Sequence, residues 1–156
     1  MEEVSWEEFF LDACRYGELE ELKQEVLSNP RPLHRIRDEY GNSPLHMAAA
    51  NNQTEVIKFV LSIIPEELLK DFLDARNTEG GNTALHWAAL NGHRESVEIL
   101  VEAGADAMIT NAAGRTALEE AESRNHESCA KYLAAEMSKI MKQTQQDGED
   151  LEMEVE

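Results

Sequence analysis

One short segment occurs three times in this chain: SPLHMAAANN from Ser43, TALHWAALNG from Thr83 and TALEEAESRN from Thr116. The starts lie 40 and then 33 residues apart. A unit of that length cannot bury its own apolar face, so stability requires neighbours stacked against it. The columns of the segment have separate physical jobs. Ala48, Ala88 and Ala121 hold a small-residue position five after each start. Asn52, Gly92 and Asn125 stand nine after, where a first helix must end and the chain reverse. Second helices follow, with apolar residues at helical spacing: Val56, Phe59, Val60 and Ile63, then Val97, Leu100 and Val101, then Ala130, Leu133, Ala134 and Met137.

Residues 5–29 read as an N-terminal unit of the same kind, with Ala13 in the small-residue column and Gly17 in the reversal column. Ser5 with Glu8 forms a capping box at its start. Its second helix is expected to turn Leu19, Leu22, Val26 and Leu27 inward and Glu18, Glu20, Glu21 and Glu25 outward, the polar outer face that a terminal unit needs. The seven extra residues between the first two starts fall around IIPEELLKDFLDARNTEGG, where Pro65 suits a helical first turn and predicts a lengthened helix or an added one. The last stretch, QTQQDGEDLEMEVE, is acidic and lacks aromatics, which predicts a disordered tail over 142–156.

These motifs resemble the ankyrin-repeat family, whose T-P-L-H-x-A core the three segments echo, over roughly residues 5–140. The resemblance implies an all-α solenoid of about four helix–turn–helix repeats with loop fingers, and a binding module rather than an enzyme. It also implies that His46 and His86, paired with Ser43 and Thr83, hydrogen-bond between neighbouring turns. The order of LDACRYGELEEL, the insertion, the divergent third segment and an acidic tail is similar to the fungal ankyrin-repeat chaperones of a small-subunit ribosomal protein. That similarity implies a basic, KH-domain client shielded until ribosome assembly, action in the cytoplasm and nucleus, and a monomeric protein. A regulatory ankyrin inhibitor of a kinase or transcription factor is the alternative.

Charge bears on the same question. The formal net charge is −18, which disfavours direct contact with nucleic acid or anionic lipid and attracts basic partners. The excess of acids is uneven, and residues 30–46 are net +1. The N-terminus lacks the basic and apolar regions of a signal peptide, and no run of 18 apolar residues suggests a membrane span. Cys14 and Cys129 are too few for a disulfide framework and are expected to be buried and inert, as in a soluble protein of a reducing compartment.

No nucleophile sits in a known context beside either histidine, and no paired ligand spacing suggests a metal, so neither catalytic residues nor a cofactor are expected. His34, His93 and His126 are expected to face solvent. Trp87 shares a column with Met47 and Glu120 and leans toward the concave face. Two readings stay open for it: packing between repeats, or an apolar stripe with Met47 for a partner helix. An acidic rim for that helix could draw on Asp38, Glu39, Glu79, Glu119 and Glu120. Tyr40 at a loop tip, and Ala50, Asn51, Leu90, Asn91 and Ser123 at the ends of first helices, complete the candidate partner-binding set.

Overall fold

The helices form in pairs because each repeat segment ends in a backbone reversal. The structure, a computed structural model, describes residues 3–153. The first pair is α1 (Trp6–Tyr16) with α2 (Leu19–Ser28). A connecting loop with one 3-10 turn (Leu33–Arg35) leads to α3 (Pro44–Ala50) and α4 (Thr54–Ile63). The insertion is a separate helix, α5 (Glu66–Leu73). Then come α6 (Ala84–Leu90) with α7 (Arg94–Glu102), and α8 (Ala117–Ser123) with α9 (Glu127–Met153). No strand occurs among the described residues, so the expected all-α architecture holds.

The reversal column behaves as its residue types require. Gly17, Asn52, Gly92 and Asn125 all adopt left-handed backbone, with φ of 77°, 54°, 73° and 59°. Glycine and asparagine tolerate that region best. The inner helices α1, α3, α6 and α8 then pack in series, and α2, α4, α7 and α9 form the outer layer. Close approach of the inner row depends on the alanine column: Ala13, Ala48, Ala88 and Ala121 have no exposed surface. Leu22, Leu45, Ile57, Leu85, Leu100 and Leu133 fill the space between layers.

Leu27 corrects the inward assignment: it is 84% exposed, because the helical register that buries Leu22 turns Leu27 outward. Both cysteines are buried, and burial raises both thiol pKa values.

The insertion braces the stack. Phe72 and Leu73 are buried beneath it, Lys70 Nζ donates to the Gly104 carbonyl at 2.9 Å, and Asp74 accepts from the Asp106 N–H at 2.9 Å. The seven-residue excess over the usual period, about two helical turns, therefore ties the second unit to the loop beyond α7.

The expected disorder from residue 142 is replaced by helix: α9 continues to Met153, and only residues 154–156 of that tail lie outside the described residues. Its sequence contains no proline and carries i,i+3 and i,i+4 pairs, Glu136 with Lys139 and Glu127 with Lys131. Low hydrophobicity removes a core contact but not helix propensity, and the side chains beyond Met137 are exposed.

Hairpin-like fingers join the units. Asp38 N–H donates to the Asn42 carbonyl, Asn77 to Asn82 and Asn111 to Arg115, at 3.0, 2.9 and 2.9 Å. Successive fingers are laddered: Thr78 N–H reaches the Tyr40 carbonyl and Ala112 N–H the Gly80 carbonyl, both at 2.9 Å. Gly41 makes the first rung possible. Its φ is +76°, and a Cβ there would stand 2.7 Å from the backbone nitrogen of Thr78. Gly41→Ala is expected to cost about 1–2 kcal/mol through left-handed strain and that clash, seen as a lower melting temperature. An unchanged midpoint would show that the finger relaxes freely.

Candidate partner-binding groove

Along α1 stand Glu8, Leu11, Asp12 and Arg15, spaced i, i+3, i+4 and i+7, so all four point the same way, Glu8 and Asp12 exposed, Arg15 half-buried and Leu11 buried. With Val4, the first finger and Met47 they enclose a hollow of about 360 Å³. Past Tyr40 the hollow continues into a second one of about 250 Å³, walled by Ala50 of α3, its cap residue Asn51 and Trp87 of α6. Arg15, Asp38, Tyr40 and Met47 line both. The result is one concave groove with Tyr40, 48% exposed, standing over it.

Its electrostatics are acidic. The Tyr40 phenol is held above its ordinary pKa, first by a hydrogen bond to the Glu39 carboxylate and by its charge, with partial desolvation, Glu79 and Asp38 adding to the effect. Acids from two neighbouring fingers therefore converge on one hydroxyl. Not all of them are free to meet a partner. Asp38 Oδ1 accepts from the N–H groups of Tyr40 and Asn42 at 2.9 and 2.8 Å, and its Oδ2 from Asn42 Nδ2 at 3.1 Å. Asp38 thus shapes the finger and contributes only residual charge. Asp12 pairs with Arg15 at 3.2 Å, and Glu8 accepts from the Ser5 N–H at 3.1 Å. Glu39 and Glu79 are exposed and make no ion pair among the described residues.

Trp87 is half-buried, and its indole N–H is enclosed with no hydrogen-bond partner. Met47 does not form an exposed stripe with it. It is only 7% exposed, with its sulfur 3.5 Å from an Arg15 nitrogen, because α1 and the first finger close over it. It is the floor of the groove. Asn51 and Asn91 donate through Nδ2 to the Met47 and Trp87 carbonyls, both at 2.8 Å, so they finish the inner helices. Leu90 is half-buried at the end of α6, and the Ala50 carbonyl accepts from His93 Nε2 at 3.0 Å. His93 and His34 are half-buried, as is His126, rather than turned to solvent; this column interlocks units because Gln53 reaches the Arg15 carbonyl in the same way at 3.1 Å.

The fourth unit contributes nothing to the groove walls. Glu120 is 9% exposed and accepts from Asn111 Nδ2 at 2.9 Å, so its charge is spent on the third finger. Glu119 folds back to accept from the Thr116 N–H at 2.7 Å, and Ser123 Oγ donates to the Glu120 carbonyl at 2.8 Å. Sequence reasoning missed Glu8, Leu11, Asp12 and Arg15 as groove residues. Their helical spacing was the available signal, but Glu8 had already been assigned to a cap.

The histidines are structural, and their roles follow from geometry. His46 Nδ1 accepts from the Ser43 N–H at 3.1 Å, which requires that nitrogen to be unprotonated. The proton is therefore on Nε2, which donates to the Asn82 carbonyl of the next finger at 2.8 Å. His86 repeats the arrangement with Thr83 and the Arg115 carbonyl, at 3.2 and 3.0 Å. Burial lowers the His46 pKa to about 4 and lowers that of His86 in the same direction. Both ring nitrogens of each imidazole are thus engaged inside the fold. Among the described residues no group of three or more His, Cys, Asp or Glu could hold a metal, and no helix is long and apolar enough to cross a membrane.

Residues 10–111 and 64–146 match the family described as ankyrin repeats (3 copies), which spans most of the chain and all four helix pairs. The chain belongs to the ankyrin-repeat family. Proteins of this repeat class are binding proteins. The ankyrin repeat-containing protein P16F5.05c of Schizosaccharomyces pombe is 44% identical over 142 residues, 90% of this chain and 92% of the relative. The ankyrin repeat-containing protein YAR1 of Saccharomyces cerevisiae is 38% identical over 151 residues, 92% of this chain and 74% of the relative. A chain of the crystal structure of the yeast ribosomal protein Rps3 in complex with its chaperone Yar1 superposes with a TM-score of 0.78 at 34% identity. That likeness covers 85% of this chain and 93% of the other.

Proposed function

We propose that this ankyrin-repeat protein is a dedicated chaperone of a newly made, basic small-subunit ribosomal protein of the Rps3 type. The observation that carries the reading is its likeness, over most of both chains, to the ankyrin-repeat protein YAR1 and to a chain of the Rps3–Yar1 complex. The groove supplies a matching chemistry. Its apolar floor of Leu11 and Met47 accepts side chains of a partner segment, while Glu39 and Glu79 meet lysine and arginine at the rim. The protein binds and releases without turnover. It shields the client's basic surface until ribosomal RNA or another partner takes it, in the cytoplasm and nucleus between which a ribosomal protein travels.

Calorimetric titration with the Rps3-type client at two salt concentrations tests this. One-to-one binding in the sub-micromolar range at low salt is expected, weakening at least about tenfold when salt rises from 50 to 300 mM, because rim charges are screened within about one Debye length. No heat of binding at low salt would remove the reading.

A further inference from the structure

We propose a second docking groove, on the outer side of the first two units, that takes an acidic, apolar-bearing segment of a partner protein. The loop between α2 and α3 carries Arg31, Arg35 and Arg37, so residues 30–46 hold a small excess of bases in an otherwise acidic chain. It packs beside the junction of α4 and α5 and leaves a hollow of about 400 Å³. Val26, Leu33, Ile63, Ile64 and Pro65 give that hollow an apolar floor. Arg31 and Pro32 also line a smaller hollow of about 120 Å³, completed by Trp6, Glu7, Arg35 and Ile36, so the two hollows adjoin at Arg31 and Pro32.

The cationic side is held in place. The Arg31 guanidinium lies 4.8 Å over the Trp6 ring, its Nε donates to Asn29 Oδ1 at 3.3 Å, and Glu7 approaches it at 3.8 Å. Arg37 Nη1 donates to the His34 and Ile36 carbonyls at 3.0 and 2.7 Å, which stiffens the loop from beneath. Arg35 is exposed and makes no ion pair among the described residues. A loop braced by stacked and bonded arginines presents its donors without first having to order them, which is how binding is made less costly in entropy.

Charge complementarity selects the occupant. Two arginines beside a floor of valine, leucine and isoleucine suit carboxylates alternating with apolar side chains. A nucleic acid would find phosphate partners but nothing to stack on along that floor of aliphatic side chains. The site is separate from the concave groove, which shares no lining residue with either hollow. A basic client and an acidic partner could therefore be carried together, and the second groove does not depend on the chaperone reading.

The chemistry can be probed with a peptide of sequence QDGEDLEMEVE, which reproduces residues 146–156 and combines six acidic side chains with Leu, Met and Val. Fluorescence anisotropy of the labelled peptide against the full chain is expected to show saturable binding. Arg35→Glu should weaken it about tenfold or more without changing the melting temperature, whereas Arg31→Glu should weaken it and also lower the melting temperature, because it removes the stacking on Trp6 and sets a second carboxylate beside Glu7. A peptide with Leu, Met and Val replaced by serine should also bind about tenfold more weakly, since it cannot fill the floor. Three results would overturn the proposal: no binding at millimolar peptide, equal binding of the serine peptide, or displacement by a short single-stranded RNA at lower concentration than by the peptide. Because the client is absent from every arm, failure here leaves the chaperone reading untouched.

Discussion

Replacing Trp87 by alanine is expected to weaken client binding by more than about 2 kcal/mol, roughly thirtyfold, while the repeat stack stays folded. Trp87 is half-buried and forms one wall of the concave groove, so truncation opens that wall more than it empties the core between helices. Titration with the Rps3-type client measures the first effect and thermal melting the second. Collapse of the melting temperature would mean that the ring is a packing element between repeats and not a contact surface. Trp87→Phe separates the two roles further. The indole N–H is enclosed without an acceptor, and a buried unmet donor costs about 1–3 kcal/mol. Phenylalanine keeps most of the apolar body and removes the donor, so this variant should melt at the same temperature or higher and keep most of the affinity.

The other large effect is on stability. His46→Ala is expected to destabilise the fold by about 3 kcal/mol near neutral pH, because it strands the Asn82 carbonyl and the Ser43 N–H of a buried cap. That loss should depend on pH in a defined direction. The folded-state pKa of His46 is about 4, below the ordinary value of 6.5, so the unfolded chain binds the proton more readily. Its contribution is complete above about pH 6.5 and declines as pH falls toward about 4, by about 3 kcal/mol over that window. Denaturant melts of wild type and variant at pH 7.5, 5.5 and 4.5 should show the gap narrowing with acid. A constant gap would mean that His46 is not held neutral by burial. His86 acts in the same direction, so the double replacement should flatten the acid limb further.

Much of this architecture can be read from local requirements. The reversal column needs left-handed backbone, and Gly17, Asn52, Gly92 and Asn125 supply it. The T-x-L-H column needs a cap and a reach to the next finger, and Ser43–His46 and Thr83–His86 supply both. The groove is less legible for two reasons. Whether a carboxylate is available depends on which backbone groups it already serves, and Asp38 and Glu120 are occupied by bonds to loops that sequence spacing does not reveal. Whether Met47 is exposed depends on what lies over it, and α1 and the first finger come from other units. The length of α9 was hidden for the opposite reason. Acidity and absent aromatics signal lack of a core partner, but a helix can persist on propensity and i,i+4 pairing.

Glu119 has a consequence for assembly. In the two preceding units the same column holds a histidine that grasps the carbonyl of a finger still to come. Glu119 instead closes on the nitrogen of its own cap and offers nothing forward. A stacked array has no intrinsic length, and any unit with a forward grip invites another to be added. With Glu119 in that column, a fifth unit grafted after α9 would lack the clasp that registers one repeat on the next unless the histidine were restored.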